Sequence, residues 1–330
     1  MDQKKMSAPL PLGQVKVTDA FWQHEMELVR TEVIPYQWQA LNDNVPGASP
    51  SYCMHNFRAA ARLNARKRMA QEGKDPEFTL RGFEQLPEDP ANPDPDRFYG
   101  YVFQDSDFSK WIEAVGYSLT VHPDPELEKV ADGAIEIVCA AQADDGYLDT
   151  CYILGGMDRR FTNLRDHHEL YCLGHLVEGA VAYYTATGKD ALLKAACRYV
   201  DYVDSRIGPE EGKLHGYPGH EIAEMALIRL WDVTREDRYL KLARYFVDQR
   251  GAEPNYFLQE MEKRGEKKPG WSSWSPAYNQ AAAPVRQQKE AVGHAVRAMY
   301  LYSGMADVAR VTNDDSLLQA CETLWHSAVE

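Results

Sequence analysis

Apolar residues return at helical intervals over most of the chain beyond residue 110. Leu173, Leu176, Val177, Ala180, Val181 and Tyr184 stand at i, i+3, i+4, i+7, i+8 and i+11, which gathers them on one face of a helix. Leu192, Ala196, Tyr199, Val200 and Val203 repeat the pattern. So do Ile222, Met225, Ala226, Leu230 and Val233, and then Tyr239, Leu242, Ala243, Phe246 and Val247. Alternating period-2 segments of useful length are scarce, so the chain is expected to be all-α. About ten helices are predicted: two before residue 75, two between 108 and 143, and pairs near 169–205, 221–250 and 290–329.

The helices pair through similar joints. Thr187-Gly188-Lys189-Asp190, Thr234-Arg235-Glu236-Asp237 and Thr312-Asn313-Asp314-Asp315 each close one helix with a threonine and open the next with an acid. An Asp there can cap free N–H groups and suits the positive end of the next helix dipole. The three threonines lie 47 and then 78 residues apart, so an irregular hairpin repeat carries an insertion in its last interval. That insertion, Glu253 to Gln280, has Trp271 and Trp274 among prolines, serines and Gly270 and shows no helical period; a loop that covers something is expected. Glu88 to Asp96, rich in Pro and Asp, is expected to be a solvated connector.

Composition narrows the function. Among 330 residues, 36 basic against 50 acidic side chains leave a net charge of −14, which disfavours nucleic acid and anionic lipid as partners. No apolar run approaches the ~20 residues of a membrane span. The charged start Met1 to Ser7 leaves no apolar core for a signal peptide, so a soluble, cytoplasmic protein is expected. Cys53, Cys139, Cys151, Cys172, Cys197 and Cys321 form no Cys-x-x-Cys pair and are expected to be reduced core residues.

Polar clusters fall between the helices. In Phe103-Gln104-Asp105-Ser106-Asp107, Asp107 is expected to cap a helix starting near Ser109, whereas Gln104 and Asp105 are candidates for substrate contact. Asp145-Gly146 marks a turn inside Asp144 to Thr150. His168-Glu169 lacks the second histidine that a zincin helix needs. His168, His220 and His294 occupy comparable places near helix starts in successive hairpins, and corresponding helix ends in a ring converge on one mouth. Imidazoles that exchange hydrogen bonds with hydroxyls, in a chain with 19 Tyr and 7 Trp, point to a carbohydrate cleft.

These motifs resemble one family. Ile34-Pro35-Tyr36-Gln37-Trp38, Leu41-Asn42-Asp43, Phe103 to Asp107, Asp145-Gly146-Tyr147-Leu148, His168 to Cys172, Gly216-Tyr217-Pro218-Gly219-His220 and Gly293 to Ala298 look like the ordered signatures of glycoside hydrolase family 127, the β-L-arabinofuranosidases. The resemblance implies an (α/α)6 barrel, incomplete in this chain, with residues 1–330 as one toroid domain. It also implies exo-hydrolysis of β-L-arabinofuranosides with retention of configuration. In that family a zinc-bound cysteine thiolate is the nucleophile, a glutamate is the acid/base, and a glutamate and three cysteines hold zinc. Those groups belong to motifs C-terminal to the stretch that matches Gly293 through Glu330, so the resemblance places no catalytic residue, metal ligand or cofactor in this chain. What carries over is substrate contact by His168, His220 and His294, with Gln104 and Asp105 beside them. Ala282 stands where the family usually has a histidine. The expected partner is an arabinofuranoside-type sugar, with a homodimer or a complementing chain as further company. Two other readings stay open: a non-catalytic carbohydrate-binding or assembly protein on the same scaffold, and an epimerase-like toroid enzyme.

Overall fold

A computed structural model of the chain describes residues 9–70, 83–266 and 274–330. The expectations for Met1 to Ser7 and for Trp271 therefore fall outside the described residues. Among these residues the chain is helical, and its one strand pairing joins β1, Glu84–Gln85, to β2, Gly100–Tyr101. The all-α expectation holds, and the helical build is that of an α/α barrel protein. The helices are α1 Ala20–Leu28, α2 Ile34–Leu41, α3 Cys53–Ala70, α4 Asp105–Val121, α5 Pro125–Ala140, α6 Thr150–Gly155, α7 Glu169–Thr187, α8 Ala191–Arg206, α9 Ala223–Thr234, α10 Asp237–Gln249, α11 Tyr256–Lys263, α12 Ala295–Thr312 and α13 Asp315–Val329. None is long and apolar enough to cross a membrane.

Among the described residues the chain divides into two compact units, one within residues 12–161 and 175–203, the other within residues 9–11, 162–174 and 204–330. The faces predicted for α8 and α10 are buried as expected. In α7 the burial is wider than the predicted stripe: Cys172, His175, Glu178, Ala182 and Tyr183 are buried along with Leu173, Leu176, Val177 and Ala180. A helix apolar on most sides is an inner helix, and a single-face reading underestimates it.

In the first unit α7 lies against α4 at the distance only glycine allows. A Cβ on Gly116 would stand 2.7 Å from the Ala182 carbonyl carbon, and one on Gly179 would stand 2.6 Å from the Ser109 carbonyl oxygen. Neither backbone can yield without parting the helices. Gly116→Ala and Gly179→Ala are each expected to lower unfolding free energy by about 1–3 kcal/mol, read by urea denaturation, as overpacked helix contacts do.

The repeated joints share one stereochemistry. Thr187, Thr234 and Thr312 donate their hydroxyls to the carbonyls of Tyr183, Leu230 and Val308, four residues back. The residue after each threonine turns left-handed: Gly188, Arg235 and Asn313 have φ of 74°, 59° and 53°. The acids differ more than expected. Asp314 caps α13 through Leu317 N–H at 2.9 Å, but at α10 the boundary residue is Glu236, which makes no side-chain cap, and Asp237 instead accepts from Trp231 Nε1–H at 3.3 Å.

Four sequence expectations change. The helix predicted from Ser109 begins at Asp105, so Asp107 sits in its first turn and accepts from Gln104 Nε2–H at 2.7 Å instead of capping. The aperiodic insertion contains α11, whose start Asn255 caps by accepting from Phe257 N–H and whose Glu260 receives the Leu164 and Arg165 N–H groups. Long-range hydrogen bonds, invisible to periodicity, hold that helix. The short α6 was likewise unforeseen and is capped by Asp149. The Pro- and Asp-rich connector is exposed but tied down, because Asp96 pairs with Arg62 and Arg66 of α3.

Candidate functional site

All three candidate histidines fall in the second unit, and its loops are built to bring them together. The loop from Gly216 to His220 passes so close to the turn at residues 164–165 that a Cβ on Gly219 would stand 2.2 Å from two carbonyl oxygens. Arg250, the C-cap of α10, holds the same loop from the other side. Fully buried, it donates to the carbonyls of Pro218 at 2.7 Å and Asn279 at 2.8 Å, and it pairs with Glu221 and Glu224 at 2.9 Å each. Its guanidinium lies 4.9 Å from the Tyr217 ring centre. Asn279 closes the frame by donating to the Gly219 carbonyl and accepting from Trp274 Nε1–H, both at 2.7 Å. Trp274, half of the tryptophan pair in the insertion, thus braces the loop that ends in His220.

Within this frame the rings cluster. His220 lies at the centre: 5.6 Å from His168, 6.0 Å from His294, 4.4 Å from Tyr171 and 6.1 Å from Tyr300, measured between ring centres. Tyr278 stands edge-on to His294 at 5.5 Å, and Arg297 lies 4.8 Å from the Tyr278 ring centre. The sequence expectation that these histidines converge describes their arrangement well. Tyr171, Tyr278, Tyr300 and Arg297 were not singled out beforehand. Helical spacing could have found two of them, since His294, Arg297 and Tyr300 recur every three residues along one face at the start of α12.

The imidazoles have distinct tautomers. Nδ1–H of His168 donates to the Asp166 carbonyl, and Nδ1–H of His220 donates to the Glu221 carbonyl at 2.9 Å. A carbonyl can only accept, so each of these rings keeps its lone pair on Nε2. His294 is reversed. As the N-cap of α12 its Nδ1 accepts from Arg297 N–H at 3.5 Å, which puts the proton on Nε2. Burial, reinforced by the nearby Arg297 charge, depresses His168 to about 4 and His220 to about 2, and lowers His294 in the same direction. Near neutral pH the cluster therefore offers two uncharged acceptors and one uncharged donor. The Arg297 side chain is itself buried, its Nε–H meets no acceptor, and no carboxylate forms an ion pair with it among the described residues.

Gln104 and Asp105 lie in the other unit. Asp105 has a structural partner that the sequence reading did not supply: its buried carboxylate accepts from the N–H of Thr150 at 2.7 Å and from the Thr150 hydroxyl, fixing the start of α6. Gln104 is buried and tied to Asp107, Ser51 and the Tyr101 N–H. The Asp145-Gly146 turn is structural, with Asp145 accepting from Tyr147 N–H and pairing with Arg160 at 2.6 Å. Ala282 lines a shallow hollow of about 270 Å³ with Gln280, Gln287 and Gln288.

Among the described residues no three of His, Cys, Asp or Glu are placed to hold one ion, so the zinc implied by the resemblance finds no fitting donor set here. The cysteines are unbridged. Burial pushes the thiols of Cys139 and Cys321 up to about 11, opposite to the direction a thiolate nucleophile needs.

A helical-hairpin protein that gathers neutral imidazoles and tyrosines at its loop ends has the build of a carbohydrate-active α/α enzyme. Residues 14–330 match the β-L-arabinofuranosidase, GH127 catalytic-domain family, and the chain belongs to that family. It is 37% identical over 321 residues to the non-reducing end β-L-arabinofuranosidase of Bifidobacterium longum subsp. longum, covering 96% of this chain and 46% of that protein. It is also similar to the crystal structure of a GH127 β-L-arabinofuranosidase from Geobacillus stearothermophilus T6, at 48% identity and a TM-score of 0.84 over 96% of this chain and 45% of the other. A second solved GH127 β-arabinofuranosidase is 34% identical with a TM-score of 0.76, covering 98% of this chain and 43% of that one. The chain thus spans about half the length of these relatives.

Proposed function

We propose that residues 1–330 form part of one α/α toroid domain of a retaining β-L-arabinofuranosidase and supply its sugar-binding groups, while nucleophile, acid/base and zinc ligands come from sequence outside this chain. The observation that carries this reading is the histidine cluster. A sugar hydroxyl both gives and takes a hydrogen bond, and two Nε2 acceptors beside one Nε2–H donor suit a pair of neighbouring hydroxyls without placing a charge against a neutral sugar. Tyrosine faces beside them suit the C–H surface of the ring. His168, His220 and His294 are the contacts proposed for this sugar.

Calorimetric titration of the chain with methyl β-L-arabinofuranoside tests the proposal. Binding is expected, weakened about tenfold or more by His220→Ala, the scale of one lost hydrogen bond and its ring contact. Hydrolysis of an aryl β-L-arabinofuranoside by the chain alone is expected to be absent. Unchanged affinity in the His220→Ala variant would sink the sugar-binding assignment, and robust turnover would sink the assignment of the chemistry to other sequence.

A further inference from the structure

A second pocket, wholly within the first unit, has the features of a built site. About 310 Å³ in volume, it is lined by Ser51, Tyr52, Tyr101, Phe103, Gln104 and Asp107 among others. Its floor is held in a costly conformation: Tyr52 is buried at a left-handed φ of 58°, a state that non-glycine residues keep only where the surroundings enforce it. The enforcement is visible. One oxygen of Asp43 accepts from the N–H groups of both Ser51 and Tyr52, at 2.6 and 3.0 Å.

The opposite wall is equally fixed. Gly100, at a φ of 88°, leaves room for the Gln104 amide where any Cβ would stand 2.6 Å from its oxygen. That amide accepts from Tyr101 N–H at 3.2 Å and donates to Ser51 Oγ at 3.4 Å and to Asp107 Oδ2 at 2.7 Å. The second carboxylate oxygen of Asp107 takes no hydrogen bond from any described residue, and the carboxyl is raised by burial. Beside it the Tyr101 and Phe103 rings stack at 5.0 Å and 8°, with Tyr101 39% exposed. A rigid aromatic platform next to one half-satisfied acceptor is the arrangement that a sugar ring uses, C–H face on the arene and hydroxyls on the carboxylate.

We propose that this pocket is a carbohydrate subsite for a single neutral sugar ring, stacked on the Tyr101–Phe103 pair and hydrogen-bonded through Asp107. Its acidity, from Asp107 and Glu84, disfavours anionic sugars. The size, at the lower end of small-ligand pockets, fits one ring and not an extended chain. The proposal is independent of the histidine cluster, which belongs to the other unit.

Saturation-transfer NMR with L-arabinose tests it in the His220→Ala chain, where the histidine cluster is disabled. Saturable transfer is expected to persist there, with affinity falling about tenfold on adding Tyr101→Ala or Asp107→Asn. Tyr101 is exposed on a two-residue strand and Asp107→Asn is isosteric; an unchanged thermal midpoint for either variant shows that the fold is intact. Loss of all saturable transfer in the His220→Ala chain overturns the subsite, as does transfer that survives both added substitutions unchanged. An affinity for L-arabinose that His220→Ala leaves untouched counts against the histidine cluster alone, so the two assignments fail separately.

Discussion

Arg250→Met is expected to cost about 3–5 kcal/mol of folding free energy, a large part of the stability of a typical domain. Methionine fills much of the volume, so the loss is electrical. Arg250, Glu221 and Glu224 are all fully buried; burial pushes the Glu221 carboxyl up to about 8, so removing the cation leaves the Glu224 carboxylate without a counter-charge beside it, along with the Pro218 and Asn279 carbonyls without their donors. Urea denaturation reads the cost. The cause is separable from packing: in Arg250→Met with Glu221→Gln and Glu224→Gln the carboxylates are gone, and much of the stability should return, since a buried ionic cluster is often replaceable by neutral groups. A single variant within about 1 kcal/mol of the parent would show that the cluster does not hold the loop. Because Pro218 and Glu221 flank His220, the folded fraction of the single variant should also bind sugar more weakly.

That cluster shows where the sequence stops informing. The helices of the hairpins were legible because Leu192 to Val203 and Tyr239 to Val247 keep one period and are buried as that period requires. The joints were legible because threonine, a left-handed residue and an acid recur together. By contrast, α11 depends on Glu260 meeting backbone N–H groups some 95 residues earlier in the chain, at Leu164 and Arg165. Arg250 reads locally as an ordinary basic residue after a helix. Its partners lie 26 to 32 residues away, and only folding reveals that it is buried. The convergence of His168, His220 and His294 could be inferred from their shared place near helix starts. Their tautomers could not, because each depends on whether a carbonyl or an N–H faces Nδ1. The partner of Asp105 was hidden for the same reason: nothing near it in sequence announces Thr150.

The uncharged imidazoles make the second large prediction, a contribution to stability that is lost in mild acid. His168 and His220 are depressed to about 4 and about 2 by burial first and by the Arg297 charge second, against an ordinary value near 6.5. Below 6.5 the unfolded chain takes up protons on these rings while the folded chain does not. Their contribution to stability therefore rises with pH across this window and falls as pH drops from 6.5 toward 4. Each ring contributes at most about 1.4 kcal/mol per pH unit, so the two together remove roughly 2–3 kcal/mol between pH 6 and pH 5. His175, in the other unit and depressed by burial to about 3, adds to the same slope. Asp166 favours the charged form of His168, and the Glu221 carbonyl favours that of His220. Buried carboxyls slope the opposite way: burial raises Glu221 to about 8 and Asp105 to about 6, and raises Asp107, Glu260 and Asp307, so the share of the two rings is read as the difference between parent and variant. Denaturant titrations at pH 7, 6 and 5 read the slope directly, and His168→Gln with His220→Gln should flatten it by the share of those two rings. Arg297→Met should flatten it in part with both rings in place, because it removes the charge and leaves the burial. An acid slope that the double glutamine variant leaves unchanged would mean that these imidazoles titrate freely, and the uncharged donor and acceptor pattern proposed for sugar recognition would fall with it.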